Sequence, residues 1–266
     1  MDVHQDFKAA QRARWPHFAP LQSITTPTAA RLVKHAGVRS GMRVLDVACG
    51  TGVVAITAAR LGAQVAGLDL TPQLLAVARD NAHTARVNVE WTEGDVEHLP
   101  YDAAAFDAVL SQFGHIFAPS PSLAIAEMLR VLTPGGTIAF STWPPEHFVG
   151  RMMALVGRYA PPAPPGVAPA SQWGDPNVIR ERLGGAVRDI TFDRATMVVP
   201  ALSLPHYRQV SERTSGQMVQ LVESLSASDP ARLEALRAEF DALVSEYFDE
   251  NLVRQDYLLT RATKIV

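Results

Sequence analysis

The chain has 266 residues, of which 47% are apolar and 19% charged, a composition typical of globular proteins and not of disordered ones. Its formal charge of −3 gives no general attraction for nucleic-acid phosphate or for an anionic membrane. The single cysteine, Cys49, excludes an intrachain disulfide framework and is compatible with a reducing cytosol. Since neither a signal-peptide pattern nor a membrane-spanning apolar run is present in the sequence, we expect a cytoplasmic protein.

The predicted elements alternate between strand and helix. Thr28–Ala36 has apolar residues at helical spacing, and Gly37 is suited to end that helix. Strands joined by helices require right-handed crossovers, so the pattern predicts an α/β fold with a doubly wound, mostly parallel sheet. The predicted strands are Arg43–Ala48, Gln64–Asp69, Val87–Glu93, Phe106–Ser111 and Thr137–Thr142, and the helices between them are Val53–Leu61, Pro72–Thr84 and Ser122–Leu132.

A break in composition follows this core. Segment 160–170 carries five prolines and is unsuited to helix or central strand, so it is either a stiff connector or a lid over a site. Beyond it we predict a strand at Val187–Pro200, helices at Leu204–Leu225 and Pro230–Asn251, and a final strand at Asp256–Val266. The expected organisation is an N-terminal helical lid segment (1–38), a core (39–145), a cap with helices and a sixth strand (146–255) and the last core strand (256–266).

The segment Val44–Gly52, VLDVACGTG, predicts a cofactor site at the end of the first strand. Gly50 and Gly52 allow a tight turn whose backbone approaches a ligand closely. Asp46 stands at the mouth of the strand, where it would repel a pyrophosphate and attract an ammonium or a sulfonium. Two unit charges ~4 Å apart interact by roughly 4 kcal/mol at a surface-like dielectric. The turn therefore favours S-adenosylmethionine over a dinucleotide.

Polar residues also follow the next strands. Because ligands bind beyond the carboxyl ends of parallel strands, we expect Asp46, Asp69, Asp95 and Gln112 along one edge of the sheet. Asp69 can accept from both hydroxyls of a ribose, whereas Asp95 can accept from an adenine amine beside the N–H of Val96. Two structural roles compete: favourable charge at a helix N-terminus for Asp69, and a Gly-Asp turn for Asp95.

The glycine turn also fits the pattern of a dinucleotide-binding site. Residues 50–55 fit the pattern G-x-G-x-x-A, and Asp69 lies at the distance expected for a nucleotide-binding dehydrogenase. Asp46 opposes this interpretation on electrostatic grounds. An NAD(P)-dependent oxidoreductase and a non-catalytic module that binds S-adenosylmethionine remain the alternatives to a methyltransferase.

The ordered segments VLDVACGTG, GLDL, GDVEHLP, FDAVLSQF and RVLTPGG resemble class I S-adenosylmethionine-dependent methyltransferases. The chain is most similar to their small-molecule branch, the relatives of ubiquinone- and menaquinone-biosynthesis methyltransferases. The resemblance covers about Arg39–Thr142 and implies a seven-stranded, Rossmann-like sheet whose last strand is antiparallel. It further implies methyl transfer to a small-molecule acceptor, with S-adenosylhomocysteine as product and with neither nucleic acid nor membrane as partner.

The resemblance also implies roles for single residues. The first motif maps onto Asp46, Gly50 and Gly52, and Leu70 would pack on the adenine beside the ribose acid Asp69. Where the family usually has a first glycine, this chain has Ala48, and we expect a small steric restriction there. The complete predicted cofactor-binding set is Asp46, Ala48, Gly50, Gly52, Asp69, Leu70, Asp95, Val96 and Gln112.

Methyl transfer from a sulfonium needs a base only if the acceptor loses a proton. His115 is the predicted general base, because it lies three residues past Gln112 and free histidine has a suitable pKa; a polar pocket-lining role competes. His17 and His147 are weaker candidates. No metal site is predicted. Aromatic residues are expected to form an apolar or aromatic acceptor site, in competition with ordinary core packing: Trp15, Phe18, Phe113, Phe117, Trp143, Phe148 and Trp173.

Overall fold

The computed structural model describes residues 3–265. Its strands are β1 (Arg43–Val47), β2 (Gln64–Asp69), β3 (Glu90–Glu93), β4 (Phe106–Gln112), β5 (Leu132–Thr142), β6 (Val187–Pro200), β7 (Phe248–Asp249) and β8 (Leu252–Lys264). Its helices are α1 (Val3–Arg14), α2 (Gln22–His35), α3 (Val53–Arg60), α4 (Pro72–Ala85), α5 (Pro121–Val131), α6 (Phe148–Tyr159), α7 (Pro176–Leu183), α8 (Leu204–Thr214), α9 (Gly216–Ser228) and α10 (Pro230–Ser245). Short 3-10 segments include Trp15–Leu21, His115–Phe117 and Ala170–Gly174.

The strands form one sheet in the order β3-β2-β1-β4-β5-β8-β6, with β7 paired to β8. Strands β1 to β5 pair in parallel, and β8 runs antiparallel to both β5 and β6. The predicted doubly wound sheet with an antiparallel last strand is therefore confirmed. The strand order reverses between β1 and β4, and such a switch point is where ligands bind in open α/β sheets.

Helices on both faces bury the central strands completely. In β1, Val44, Leu45 and Val47 are inaccessible to solvent, and the middle of β4 is equally buried. This is why these strands carry continuous apolar runs in place of an alternating pattern. The α2 helix contributes Ala29 and Leu32 to the same core. It extends six residues further toward the N-terminus than the predicted helix, which began at Thr28.

The helix predicted at Leu204–Leu225 is wrong, because the chain breaks at Ser215 into α8 and α9. Gly216 begins the second helix, and a Cβ atom there would lie 2.7 Å from the Cβ of Arg14. The junction between α8 and α9 therefore packs directly against the N-terminal segment. No periodicity in the sequence marks this break, and the same N-terminal residue, Arg14, also bonds to Gln220, 206 positions further along the chain.

The predicted helix Pro230–Asn251 is too long and the predicted final strand starts too late. Helix α10 ends at Ser245, and β7 and β8 then form a hairpin through Glu250 and Asn251. Both turn residues have left-handed backbone, with φ of 45° and 64°, as a two-residue hairpin turn requires. The final strand therefore begins at Leu252, four residues before the predicted start; Val266, its predicted last residue, lies outside the described residues.

The proline-rich segment 160–169 has no helix or strand and connects α6 to the short helix Ala170–Gly174. None of its residues lines the cavity described below, which favours the connector over the lid. In the part of the chain that the structure describes, no helix is both long and apolar enough to cross a membrane.

Candidate functional site

A cavity of about 280 Å³ opens at the carboxyl edge of β1, β2 and β4, at the switch in strand order. It runs beneath α1 and the segment Trp15–Leu21 and continues between α6, α8 and the strands β6 and β8. The N-terminal helices therefore roof a space that the core sheet and the C-terminal half build together.

The floor of the cavity at the sheet edge is the glycine turn after β1. Gly50 and Gly52 both adopt left-handed backbone, with φ of 54° and 81°. A Cβ atom on Gly52 would lie 2.5 Å from the Trp91 ring, whereas one on Gly50 would meet nothing within 4 Å. Gly50 lines the cavity, so its missing side chain leaves room for a ligand against the backbone. Gly52 instead permits packing of the turn on Trp91.

Ala48 also has left-handed backbone, with φ of 51°, a conformation that costs a residue with a Cβ roughly 1–2 kcal/mol. The residue opposite is Gly114, where a Cβ atom would come within 2.5 Å of the Ala48 Cβ. The loop after β4 thus packs on the turn after β1, and its glycine accommodates the methyl group that this chain has at position 48.

Asp46 is 1% exposed and lines the cavity. Its Oδ2 accepts from the backbone N–H of Ala55 at 3.0 Å, while its Oδ1 is buried and has no hydrogen-bond partner among residues 3–265. Burial raises the pKa of this carboxyl well above its ordinary value; the bond from Ala55 acts against that shift, and the nearby Asp69 adds to it. A buried acceptor without a donor costs roughly 1–3 kcal/mol, and an ammonium group would satisfy it.

Asp69 ties the end of β2 to the glycine turn. Its Oδ2 accepts from the N–H of Gly50 and its Oδ1 from the N–H of Thr71, both at 2.8 Å. Burial raises the pKa of Asp69, and these hydrogen bonds oppose the shift. Each oxygen keeps a second lone pair, so the carboxylate can still accept from two hydroxyls. Leu70, the next residue, lines the cavity beside it.

Asp95 already holds a cation. Lys8, from α1, donates to both Asp95 and Glu97, and all three side chains are largely shielded from solvent. Burial lowers the pKa of Lys8, but the two carboxylates outweigh that effect and the net shift is upward. Val96 lines the cavity next to this pair. Sequence reasoning missed Lys8, because the contact joins residues 87 positions apart and no local pattern marks it.

Gln112, at the end of β4, lines the cavity beside the turn. Its Nε2 donates to the backbone oxygen of Thr25 at 2.9 Å and to Oγ1 of Thr28 at 2.7 Å. The side chain is therefore anchored to α2, on the face of that helix that packs on the sheet.

His115 does not line the cavity. Its ring is fully buried, with centroids 4.7 Å from those of both Phe140 and Trp173, and neither ring nitrogen has a hydrogen-bond partner in the described chain. Burial lowers the pKa of His115 to about 3, with a smaller contribution from Arg182 in the same direction. The ring is neutral at pH 7 but is packed away from any acceptor, so the general-base role stays a prediction. His17 and His147 do not line the cavity either.

The aromatic residues divide between cavity and core. Phe113 and Trp143 line the cavity as a stacked pair, with ring centroids 3.9 Å apart and planes 11° from parallel. Trp15, Phe18 and Phe117 also line it. Phe148 and Trp173 belong to the core instead, because both are completely buried away from the cavity.

The cavity has two chemically different ends. The carboxylate end contains Asp46, Asp69 and Asp95 with the glycine turn. The uncharged end is formed by α6, β6, α8, the start of α9 and β8, and its described lining residues carry no charged side chain: Val149, Met152, Met153, Val156, Met197, Val199, Tyr207, Val210, Ser211, Thr214, Ser215, Gly216, Gln217 and Gln255. No motif pointed to this second set.

A family model described as "Methyltransferase domain" matches residues 44–136, which include all of β1 but its first residue, the glycine turn, and Asp46, Asp69 and Asp95. The chain belongs to the class I methyltransferases and is related to those of quinone biosynthesis. This methyltransferase is 34% identical over 244 residues to Rv1403c, an uncharacterized protein of Mycobacterium tuberculosis. The alignment covers 91% of this chain and 89% of that protein.

The core region also matches an enzyme of quinone biosynthesis. Demethylmenaquinone methyltransferase of Deinococcus radiodurans is 44% identical over 133 residues, or 44% of this chain and 55% of that enzyme. The methyltransferase shares its fold with the YcgJ protein of Bacillus subtilis, with a TM-score of 0.60, 19% identity, and 90% and 99% of the two chains covered. It also shares it with Haemonchus contortus phosphoethanolamine N-methyltransferase 2 bound to phosphomonomethylethanolamine and S-adenosylhomocysteine, with a TM-score of 0.57, 20% identity, and 90% and 53% covered.

Proposed function

We propose that this methyltransferase transfers a methyl group from S-adenosylmethionine to a small, uncharged, apolar or aromatic metabolite, at oxygen, nitrogen or carbon. The observation that carries the proposal is the division of one cavity into a carboxylate end and an uncharged end. A cationic amino-acid group and a ribose suit the first end. An acceptor without charge suits the second, because a charged molecule would lose its hydration there without gaining an ion pair.

The residues at the carboxylate end fit the proposed cofactor. Oδ1 of Asp46 lacks a donor that the methionine ammonium would supply, and Gly50 leaves open space at the backbone. Asp69 would bind the ribose hydroxyls, while Leu70 and Val96 would pack against the adenine. When bound, the cofactor supplies a methyl group on a sulfonium, which is an excellent leaving group.

The protein's own contribution is to orient the acceptor and to exclude water. The stacked rings of Phe113 and Trp143 form an apolar wall where the two ends meet. Segment Trp15–Leu21 and helix α1 cover the cavity from above. Holding donor and acceptor in line can supply most of the rate for such a displacement. No base from the described lining is required if the acceptor is a neutral amine or loses its proton to water.

Asp95 has an additional role in this proposal. Its carboxylate was predicted to take the adenine amine, and it is paired with Lys8. The second oxygen of Asp95 accepts from the N–H of Glu97 at 2.9 Å, so an adenine amine would share the carboxylate with these donors. Lys8 thereby links the roof helix to the cofactor position.

Calorimetry with S-adenosylmethionine and S-adenosylhomocysteine tests the proposal. We expect binding of both, and no binding of either at millimolar concentration would overturn it. A screen for S-adenosylhomocysteine formation with phenols, quinones, amines and fatty acceptors then identifies the acceptor class. Activity restricted to charged acceptors would contradict the role of the uncharged end.

Two alternatives make different predictions. An NAD(P)-dependent oxidoreductase rests on the spacing of residues 50–55, and the buried Asp46 would repel its pyrophosphate; titration with NADH, followed by fluorescence, separates it. A non-catalytic binding module would have packed side chains beyond the cofactor, whereas this cavity continues into the uncharged end.

The lone cysteine is the ground for proposing a reducing compartment, the cytoplasm, as the place of action.

A further inference from the structure

The amide orientation of Gln112 follows from its partners. Thr25 presents a backbone oxygen, which can only accept. Thr28 donates its hydroxyl proton to that same oxygen at 2.6 Å, so Oγ1 of Thr28 can only accept as well. The group of Gln112 that contacts both must be the NH₂, and both of its protons are used. The side chain is therefore held in one orientation.

This arrangement leaves Oε1 of Gln112 without a donor. The atom is buried, and no hydrogen bond reaches it from residues 3–265. A buried carbonyl oxygen that is left unsatisfied costs roughly 1–3 kcal/mol. Because the NH₂ group is anchored to α2, the amide cannot rotate toward another donor without losing two hydrogen bonds. Gln112 is half-buried and lines the cavity with other atoms of its side chain, so a ligand that packs against this side chain is the nearest source of a donor outside the described chain.

Gln112 lies where the two ends of the cavity meet. Strand register places Asp46 opposite Leu110, and Ser111 donates from Oγ to the oxygen of Val47 at 2.9 Å. Gln112 is the next residue, at the level of the glycine turn. The residue after it is Phe113, which stacks on Trp143 to form the apolar wall. An acceptor resting on this wall would have its reactive group beside both Gln112 and the turn.

We propose that Oε1 of Gln112 accepts a hydrogen bond from the O–H or N–H of the atom to be methylated, and so selects hydroxyl or amine acceptors over carbon acceptors. This inference rests on the proposed function and narrows it. It also moves Gln112 from the predicted cofactor-binding set to the acceptor. The acceptor class is an uncharged apolar or aromatic molecule with one such donor group.

The step balances without a base from the protein. The oxygen or nitrogen lone pair of the acceptor forms the bond to the methyl carbon, and the electron pair of the breaking methyl–sulfur bond stays on sulfur. Methylation makes the O–H or N–H strongly acidic, and its proton leaves to solvent when the product is released. Gln112 takes no proton, because an amide oxygen is a hydrogen-bond acceptor and a very weak base. Its contribution is to hold the donor group so that the lone pair faces the methyl group.

The test uses the protein saturated with S-adenosylhomocysteine and matched probe pairs: phenol and anisole, 2-naphthol and 2-methoxynaphthalene, aniline and N,N-dimethylaniline. Equilibrium dialysis measures the affinity of each. We expect the member with the O–H or N–H to bind about tenfold more tightly in at least one pair, the effect of one buried hydrogen bond of ~1.4 kcal/mol. In Gln112→Met this preference should vanish, with S-adenosylhomocysteine affinity unchanged within about twofold.

Two further variants keep the result interpretable. Gln209→Met makes the same substitution on the exposed face of α8, outside the cavity, and should leave the preference intact. Thr28→Val removes one of the two hydrogen bonds that hold the Gln112 amide but leaves Oε1 of Gln112 in place, and it should reduce the preference to about threefold. This variant replaces Gln112→Met in the test if Gln112→Met does not fold.

Two outcomes would overturn the proposal: no donor preference in any pair, or a preference that survives in Gln112→Met. The second outcome can be accompanied by a tenfold loss of S-adenosylhomocysteine affinity in that variant. That loss would return Gln112 to the cofactor. Failure of the proposed function is distinguishable, because the unmodified protein would then bind no S-adenosylhomocysteine.

Discussion

The carboxylate end and the uncharged end of the cavity differ in how the chain builds them. Asp46 is the penultimate residue of β1, Asp69 ends β2, and Asp95 comes two residues after the end of β3. The uncharged end instead takes one or a few residues from each of five elements between residues 149 and 255. The first end is thus encoded in short local segments, and the second arises only when distant segments pack together.

The two ends also differ in what they cost the fold. Asp46 and Asp69 are buried carboxylates, and burial raises the pKa of both. Three methionine side chains from α6 and β6 line the uncharged end, and Met152, Met153 and Met197 can adapt their shape without loss of a polar contact. The cavity thus joins an end with buried carboxylates, which are costly to ionise, to an apolar end whose side chains can change shape.

The largest expected effect is at the carboxylate end. Asp69→Ala should weaken S-adenosylhomocysteine binding by about a hundredfold or more, because two charge-assisted hydrogen bonds of roughly 1.5–3 kcal/mol each are removed and the glycine turn loses its tether. Calorimetry measures the change. Asp107→Ala is the control, since Asp107 is paired with Arg43 at the opposite edge of the sheet and should leave affinity unchanged. If Asp69→Ala keeps its affinity for S-adenosylhomocysteine, the carboxylate end does not bind the cofactor as proposed.

Asp46→Asn separates binding from stability. We expect about tenfold weaker S-adenosylhomocysteine binding, because a neutral amide replaces the carboxylate that would face the ammonium. The free protein should become more stable, since the folded pKa of Asp46 is raised and ionisation therefore destabilises the fold. That penalty is absent below the unfolded pKa of about 3.9 and grows as pH rises toward the folded pKa. Thermal unfolding between pH 4 and 7 should show a widening gap in favour of the variant; a gap that narrows would contradict this.

His115 gives a pH effect of the opposite sign. Its pKa is lowered to about 3 in the fold, so the unfolded chain binds an extra proton below about pH 6.5 and the protein loses stability as pH falls through this window. The slope is at most about 1.4 kcal/mol per pH unit. His115→Leu should flatten the profile between pH 6 and 4 and keep turnover within about threefold. A folded variant with more than a tenfold loss of turnover would instead support the general-base prediction.

The smallest expected effect concerns the roof. Lys8→Met should raise the dissociation rate of S-adenosylhomocysteine by about threefold, because it removes the ion pairs that fasten α1 over Asp95 and Glu97. Arg12→Met is the matched control on the same helix, since its partner Glu93 is exposed. Stopped-flow measurement compares the two. Slower release from Lys8→Met would mean that Lys8 competes with the ligand for Asp95.

The sequence predicted most of the parallel core because strand and helix periods alternate clearly from Arg43 to Thr142. The strand predicted at Val187–Pro200 is also observed, with the same bounds, as β6. The errors lie where tertiary contacts override local preference. The break at Ser215 lies against Arg14, and the turn of the β7–β8 hairpin is formed by two left-handed residues, Glu250 and Asn251, where no glycine marks it.

The same limit applies to the site. Residues such as Asp46 and Gly50 could be found because their spacing within one turn carries the signal. The pairing of Lys8 with Asp95 and the anchoring of Gln112 by Thr28 could not, since each joins an N-terminal helix to the sheet edge. His115 shows the opposite error. Its position in the sequence predicted a place in the cavity, but its side chain packs into the core.

The N-terminal segment touches both ends of the cavity. Lys8 reaches Asp95 at one end, while Arg14 bonds to Gln220 of α9 and packs on Gly216 at the other. A ligand at either end that shifts this segment changes the affinity at the other end by a common factor, because such coupling is reciprocal. The affinity for each proposed ligand in the presence of the other therefore depends on these first residues of the chain as well as on the two ends of the cavity.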